Sequence, residues 1–129
     1  MIYKQGEIVL VPFPYSDLSG AKRRPVLIVS NDAYNASFPD VVVVVVTSKV
    51  AKIDAYSLTF DSTDLEIGQL PEASLIRAHK LFTIDQSRIV KRFSFLGAAK
   101  LRETLLLLRQ LFDHPALHQS DKALQAEKA

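Results

Sequence analysis

The chain has 129 residues, 48% of them apolar, 23% charged and 9% aromatic, the size and composition of one globular domain. Sixteen Lys and Arg against fourteen Asp and Glu leave a formal charge of +2, which excludes a histone-like polycation and an acidic disordered chain. With no cysteine, disulfides, thiolate zinc sites, iron–sulfur clusters and a Cys nucleophile are excluded together.

Residues 1–6 carry Lys4 and Gln5 and lack the apolar stretch and cleavage site of a secretory signal. The longest apolar run, residues 41–46, is far short of the roughly 20 residues a membrane-spanning helix needs. A soluble cytoplasmic protein is therefore expected.

Residues 7–13 are β-branched and aromatic, and Pro12 and Pro14 close them, as at the end of an edge strand. Residues 15–24 hold Ser, Asp, Gly and the triplet Lys22-Arg23-Arg24, which predicts an exposed loop. Pro25 opens a second apolar run over residues 26–29. Ser30-Asn31-Asp32 then offers helix N-caps ahead of a short turn over residues 33–37.

Six consecutive valines, residues 41–46, predict a strand buried on both faces, left through Thr47 and Ser48. Residues 56–60, 74–82 and 88–96 read as further strands. After Gly97, Ala98, Leu101, Leu105, Leu108 and Phe112 recur at helical spacing with Lys100, Arg102, Glu103 and Arg109 opposite. Leu106 and Leu107 widen that apolar stripe, and with the valine run they offer surface to a second chain. Residues 113–129 are polar beyond Pro115 and read as a weakly ordered tail after a single domain, residues 1–112. Short strands with one late helix predict a mainly β fold, a small antiparallel barrel with its helix outside.

Charge is segregated along the chain. From Asp54 to Glu72 there are five acids and no base, whereas from Leu75 to Gln110 eight bases face two acids. Joined by Lys22, Arg23 and Arg24, these bases could gather into a patch that meets phosphates. Phe13, Tyr15, Phe82, Phe93 and Phe95 lie in or beside the basic segments. Most of these aromatics read as core, and Tyr15 is the best candidate for an exposed stacking ring. His114 and His118 stand four apart, but Pro115 separates them and no third ligand is near, so no metal site is expected. The four glycines are isolated, so no phosphate loop and no nucleotide cofactor is expected.

The order of motifs resembles the MazF/PemK family of toxin–antitoxin toxins. The opening Gly6-Glu7-Ile8-Val9-Leu10-Val11-Pro12-Phe13-Pro14 is followed by Asp17-Leu18-Ser19-Gly20 and Arg24-Pro25-Val26-Leu27-Ile28-Val29-Ser30-Asn31. Val45-Val46-Thr47-Ser48, Leu70-Pro71 with Ser74, and Lys80-Leu81-Phe82-Thr83-Ile84-Asp85 then appear in the family's order. The resemblance implies an SH3-like barrel with a C-terminal helix, the CcdB/MazF-like plasmid maintenance toxin fold. It further implies a homodimer that cleaves single-stranded RNA without a metal ion and is blocked by a cognate antitoxin.

In that family the RNA's own 2′-hydroxyl attacks the phosphorus and leaves a 2′,3′-cyclic phosphate. Arg24 matches the family's catalytic arginine, a fork suited to two phosphate oxygens. Thr47 matches its strand-end threonine, with Ser48 beside it. Arg77 and His79 match positions that in some members hold an arginine and an aspartate acting as acid and base. Histidine here departs from that pattern but suits proton transfer near neutrality. Tyr15, Asp17, Lys22, Arg23, Ser48 and Lys80 are the substrate-binding candidates. Two other readings remain open at this stage: a non-catalytic toxin of the same fold that poisons DNA gyrase, and an RNA-binding module without turnover.

Overall fold

The computed structural model describes residues 2–13, 22–50 and 53–116. Seven strands form one sheet: β1 (Glu7–Phe13), β2 (Lys22–Ile28), β3 (Asp40–Thr47), β4 (Ser57–Phe60), β5 (Leu65–Ile67), β6 (Ser74–Asp85) and β7 (Lys91–Leu96). Their order is β4-β6-β3-β2-β1-β7-β5, and every pairing is antiparallel. The curled sheet is a half-barrel, with the short strands β4 and β5 at its two edges. Helix α1 (Asp32–Ser37) links β2 to β3, capped by the Asn31 side chain, which accepts the Tyr34 N–H at 2.8 Å. Helix α2 (Ala98–Phe112) closes the domain.

The valine run is the centre of this sheet. Val41 and Val43 join Val9, Val11, Val26 and Ile28 in one buried cluster. Val44 and Val46 join Ile8, Leu27, Ile76 and Leu96 in a second cluster on the other face. Alternation along a strand sends successive side chains to opposite faces, so β3 supplies both cores at once. Four of the six valines are thus buried inside the protomer, and Val42 and Val45 are half-buried. On α2, Leu101, Leu105 and Leu108 seal the second cluster, while Leu106 and Phe112 stay 53% and 73% exposed.

Three expectations need correction. Lys22, Arg23 and Arg24 belong to β2 rather than to the preceding loop, because β1 runs long enough to pair with them: Phe13↔Lys22, Pro12↔Arg23 and Val11↔Arg24. Pro25 is tolerated there because the pairing of β2 with β3 has already stopped at Val26↔Val45. Residues 86–88 form a 3-10 turn capped by Asp85, so β7 begins only at Lys91. β5, three residues long, has no counterpart in the sequence reading. It follows a 3-10 turn (Ser62–Asp64) whose Asp61 and Asp64 side chains cap each other's backbone. Gly97 fits where β5 meets α2: its N–H donates to the Asp64 carbonyl at 2.7 Å, and a Cβ would lie 2.9 Å from that oxygen.

Candidate active site

Two strand ends build the site. Val26 of β2 pairs with Val45 of β3 as the last pair of that ladder, and Arg24 and Thr47 follow two residues beyond it on the two strands. Arg24 is half-buried, and it shares one groove of about 430 Å³ with Arg23, Thr47, Ser48 and Lys49. Thr47 Oγ1 accepts the Lys49 N–H at 3.2 Å, so its own hydroxyl proton remains to be donated into the groove. The result is a concave surface with two arginines, a lysine and hydroxyl donors on one wall. The chemistry such a wall performs is to hold phosphate oxygens and stabilise charge that grows on them.

Arg77, His79 and Lys80 sit elsewhere, on a distortion of β6. Its pairing with β3 jumps from Val44↔Leu81 to Val45↔Arg77, leaving Ala78, His79 and Lys80 as extra residues. The distortion turns Arg77 and His79 toward the β3–β4 connection. There Asp54 Oδ2 lies 3.9 Å from Arg77 Nη2 and 3.8 Å from His79 Nε2. Arg77 Nε and His79 Nδ1 are buried and make no hydrogen bond. Lys80 is exposed. The groove and the Asp54 cluster are neighbours through the sheet, because Thr47 and Val45 pair with Leu75 and Arg77 of β6.

Of the substrate-binding candidates, Arg23 and Ser48 line the groove with Arg24 and Thr47. Lys22 lies on β2 opposite Phe13. Tyr15 and Asp17 lie outside the described residues, as do His118 and residues 117–129 of the expected tail. Among the described residues no group of three or more His, Asp or Glu is placed to hold a metal ion. Several bases of the second half are paired with acids. Arg92 Nε meets the buried Glu7 carboxylate and its guanidinium lies 4.6 Å from the centre of the Tyr3 ring, and Lys100 Nζ lies 3.2 Å from Glu103.

Sequence reasoning did not single out Asp54, Lys49 or Glu72, and it counted Phe93 among rings of mostly core character. The Asp54-x-Tyr56-Ser57 pattern was the available sign. Asp54 Oδ1 accepts the Tyr56 N–H at 2.9 Å and the Ser57 hydroxyl at 2.8 Å, an Asx turn that fixes the carboxylate. Those two hydrogen bonds, more than the charges of His79 and Arg77, hold the Asp54 pKa below the usual carboxylate value. A depressed pKa contributes stability at neutral pH that is lost as pH falls through the folded-state value. Asp54→Asn keeps an acceptor for the turn but has no charge to lose. Its stability, measured by urea unfolding, should therefore decline less steeply than wild type between neutral pH and about pH 3. Equal slopes for the two proteins would contradict the assignment.

Fold and groove together define a small β domain with a cation-lined groove. A sequence model of the PemK-like, MazF-like toxins of type II toxin–antitoxin systems matches residues 4–112, and the chain belongs to that family. Endoribonuclease MazF2 of Mycobacterium bovis and Endoribonuclease MazF6 of Mycobacterium tuberculosis are each 29% identical over 115 residues, 88% of this chain and 99% of theirs. Among solved structures, MazE–MazF from Deinococcus radiodurans superposes with a TM-score of 0.67 at 25% identity, covering 86% of this chain and 96% of that one. A mycobacterial endoribonuclease in complex with its cognate antitoxin gives 0.70 at 21% identity, covering 88% and 99%, a likeness of fold. The expected small antiparallel barrel with a C-terminal helix, here a curled half-barrel, is thus the fold of MazF toxins. Among the described residues no helix is long and apolar enough to cross a membrane.

Proposed function

We propose that this chain is the toxin of a type II toxin–antitoxin pair and a sequence-selective, metal-independent endoribonuclease acting on single-stranded mRNA in the cytoplasm. The observation that carries the reading is that Arg24 and Thr47 line one groove with Arg23 and Lys49. The names of the mycobacterial relatives support the activity. The toxin domain spans residues 1–112, and the family match ends at the same residue.

The reaction is an in-line displacement. The 2′-oxygen bonds to the adjacent phosphorus as the bond from phosphorus to the 5′-oxygen breaks, giving a 2′,3′-cyclic phosphate and a 5′-hydroxyl. Arg24 spans two nonbridging oxygens, Thr47 donates to one of them with Ser48 beside it, and Arg23, Lys49 and Lys22 hold neighbouring phosphates. No protein nucleophile is required. His79 takes the 2′-hydroxyl proton, Arg77 hydrogen-bonds the leaving 5′-oxygen, and water supplies that oxygen's proton, with the RNA crossing from the groove toward the Asp54 cluster. His79→Ala should lower the cleavage rate by about a hundredfold. Undiminished cleavage would place the base elsewhere.

A homodimer would cover Leu106 and Phe112 on α2 and join two grooves into a longer cationic surface. A cognate antitoxin would block the groove; the mycobacterial structural relative is itself a complex with its cognate antitoxin. The test is incubation of the protein with mixed-sequence RNA in EDTA. Discrete fragments ending in cyclic phosphate are expected. Intact RNA, or cutting that needs added metal, would contradict the reading.

A further inference from the structure

The groove that holds Arg24 and Thr47 has a second wall of different chemistry. Phe93 reaches it because β7 bulges: pairing with β1 passes from Ile8↔Ser94 to Val9↔Arg92, and Phe93 is the residue left over. A bulge re-aims one side chain out of the strand's alternation. Here the re-aimed group is an aromatic ring 39% exposed, lining a groove that faces solvent. Leu70, Pro71 and Glu72 line the same groove. Their segment is pinned at both ends, by the Leu70 N–H donating to Ser62 Oγ at 2.8 Å and by Ser74 pairing with Phe60.

Glu72 is the anomalous member. It is exposed and makes no hydrogen bond or ion pair among the described residues. A carboxylate repels phosphate, so in a groove that binds an RNA backbone it can only serve a group that donates hydrogen bonds. The donors a single-stranded RNA offers, ribose hydroxyls apart, are the amino and imino groups of its bases. An exposed ring beside such an acceptor is how proteins hold one unpaired base, by its face and by its edge.

We propose that Phe93 and Glu72 form a nucleobase subsite of the groove, Phe93 stacking one unpaired base and Glu72 accepting from its amino-bearing edge. The proposal rests on the reading of the groove as an RNA site. Guanine fits best, because its N1–H and N2 amino group are adjacent donors that one carboxylate accepts together. Cytosine and adenine offer one amino group each. Uracil turns two carbonyl oxygens toward the carboxylate beside a single N3–H, and is rejected.

The test uses a randomised heptamer library that cannot be cut, made of 2′-deoxynucleotides with deoxyuridine for thymidine. The library is selected on wild type, Glu72→Gln and Phe93→Ala, with folding checked by circular dichroism and bound sequences read out. Wild type should enrich guanine over uracil about tenfold at one position. Glu72→Gln, whose amide also donates, should bring that ratio within about twofold, and Phe93→Ala should weaken binding of all four bases there by about tenfold. An unchanged ratio in Glu72→Gln, a wild-type preference for uracil at that position, or no binding of any sequence overturns the subsite. Cleavage of the matching RNAs separates the two claims. Cutting by wild type and Glu72→Gln with the same base preference sinks the subsite alone. A Glu72-dependent preference with no cutting by any protein sinks the endoribonuclease reading and leaves the subsite standing.

Discussion

Arg24→Ala should lower RNA cleavage by about a hundredfold to a thousandfold, the loss observed when one preorganised donor is removed from a charge-stabilising site. Arg24 is held by a strand rather than a loop: β2 pairs it with Val11, and it lines one groove with Thr47. On the proposed reading, its guanidinium meets two phosphate oxygens from a backbone that the sheet already holds. Lysine at this position keeps the charge and loses the fork, so Arg24→Lys should recover only part of the rate. Single-turnover cleavage of one RNA by the three proteins checks this, with thermal unfolding measured in parallel. An Arg24→Ala protein that is folded and cuts at the wild-type rate would remove Arg24 from the site.

The largest effect on stability should come from Leu27→Ala. Leu27 is fully buried near the end of β2, between Ile8 of β1 and Val44 of β3, and it belongs to the cluster that α2 seals. Truncation removes its transfer free energy and leaves a cavity between strands that cannot collapse without breaking two ladders. A loss of about 3 kcal/mol is expected, lowering Tm by on the order of 10 °C. Because Leu27 lies three residues from Arg24 on the same strand, the variant tests whether the site depends on this packing. Thermal unfolding followed by circular dichroism gives the number, and a shift below about 2 °C would show that Leu27 is not a core residue.

The elements set by side-chain pattern were legible in the sequence. Six valines between polar flanks could only be a strand with two buried faces, and β3 is that strand. The spacing of Leu101, Leu105 and Leu108 marked the face that α2 buries. What pairing decides was not legible. Lys22, Arg23 and Arg24 read as loop because three cations have no strand pattern, and only their partners on β1 extend β2 through them. β5 is too short to carry any periodicity.

The site divides along the same line. Arg24 and Thr47 were singled out by an ordered series of motifs, and the structure puts both in one groove. Phe93 was counted with rings of core character because alternation assigns it a face, and a bulge re-aims it. Asp54 was counted only as one of five acids, since its meeting with Arg77 and His79 depends on a distortion of β6 that no local pattern encodes.

The central claim is that the RNA supplies its own nucleophile while the groove supplies the charge. It is tested most directly by an RNA that wild type cuts at one mapped bond, resynthesised with a single 2′-deoxynucleotide on the 5′ side of that bond. No cutting at that bond, with binding retained, is the predicted result. Cutting there at the unmodified rate would show that another nucleophile attacks the phosphorus.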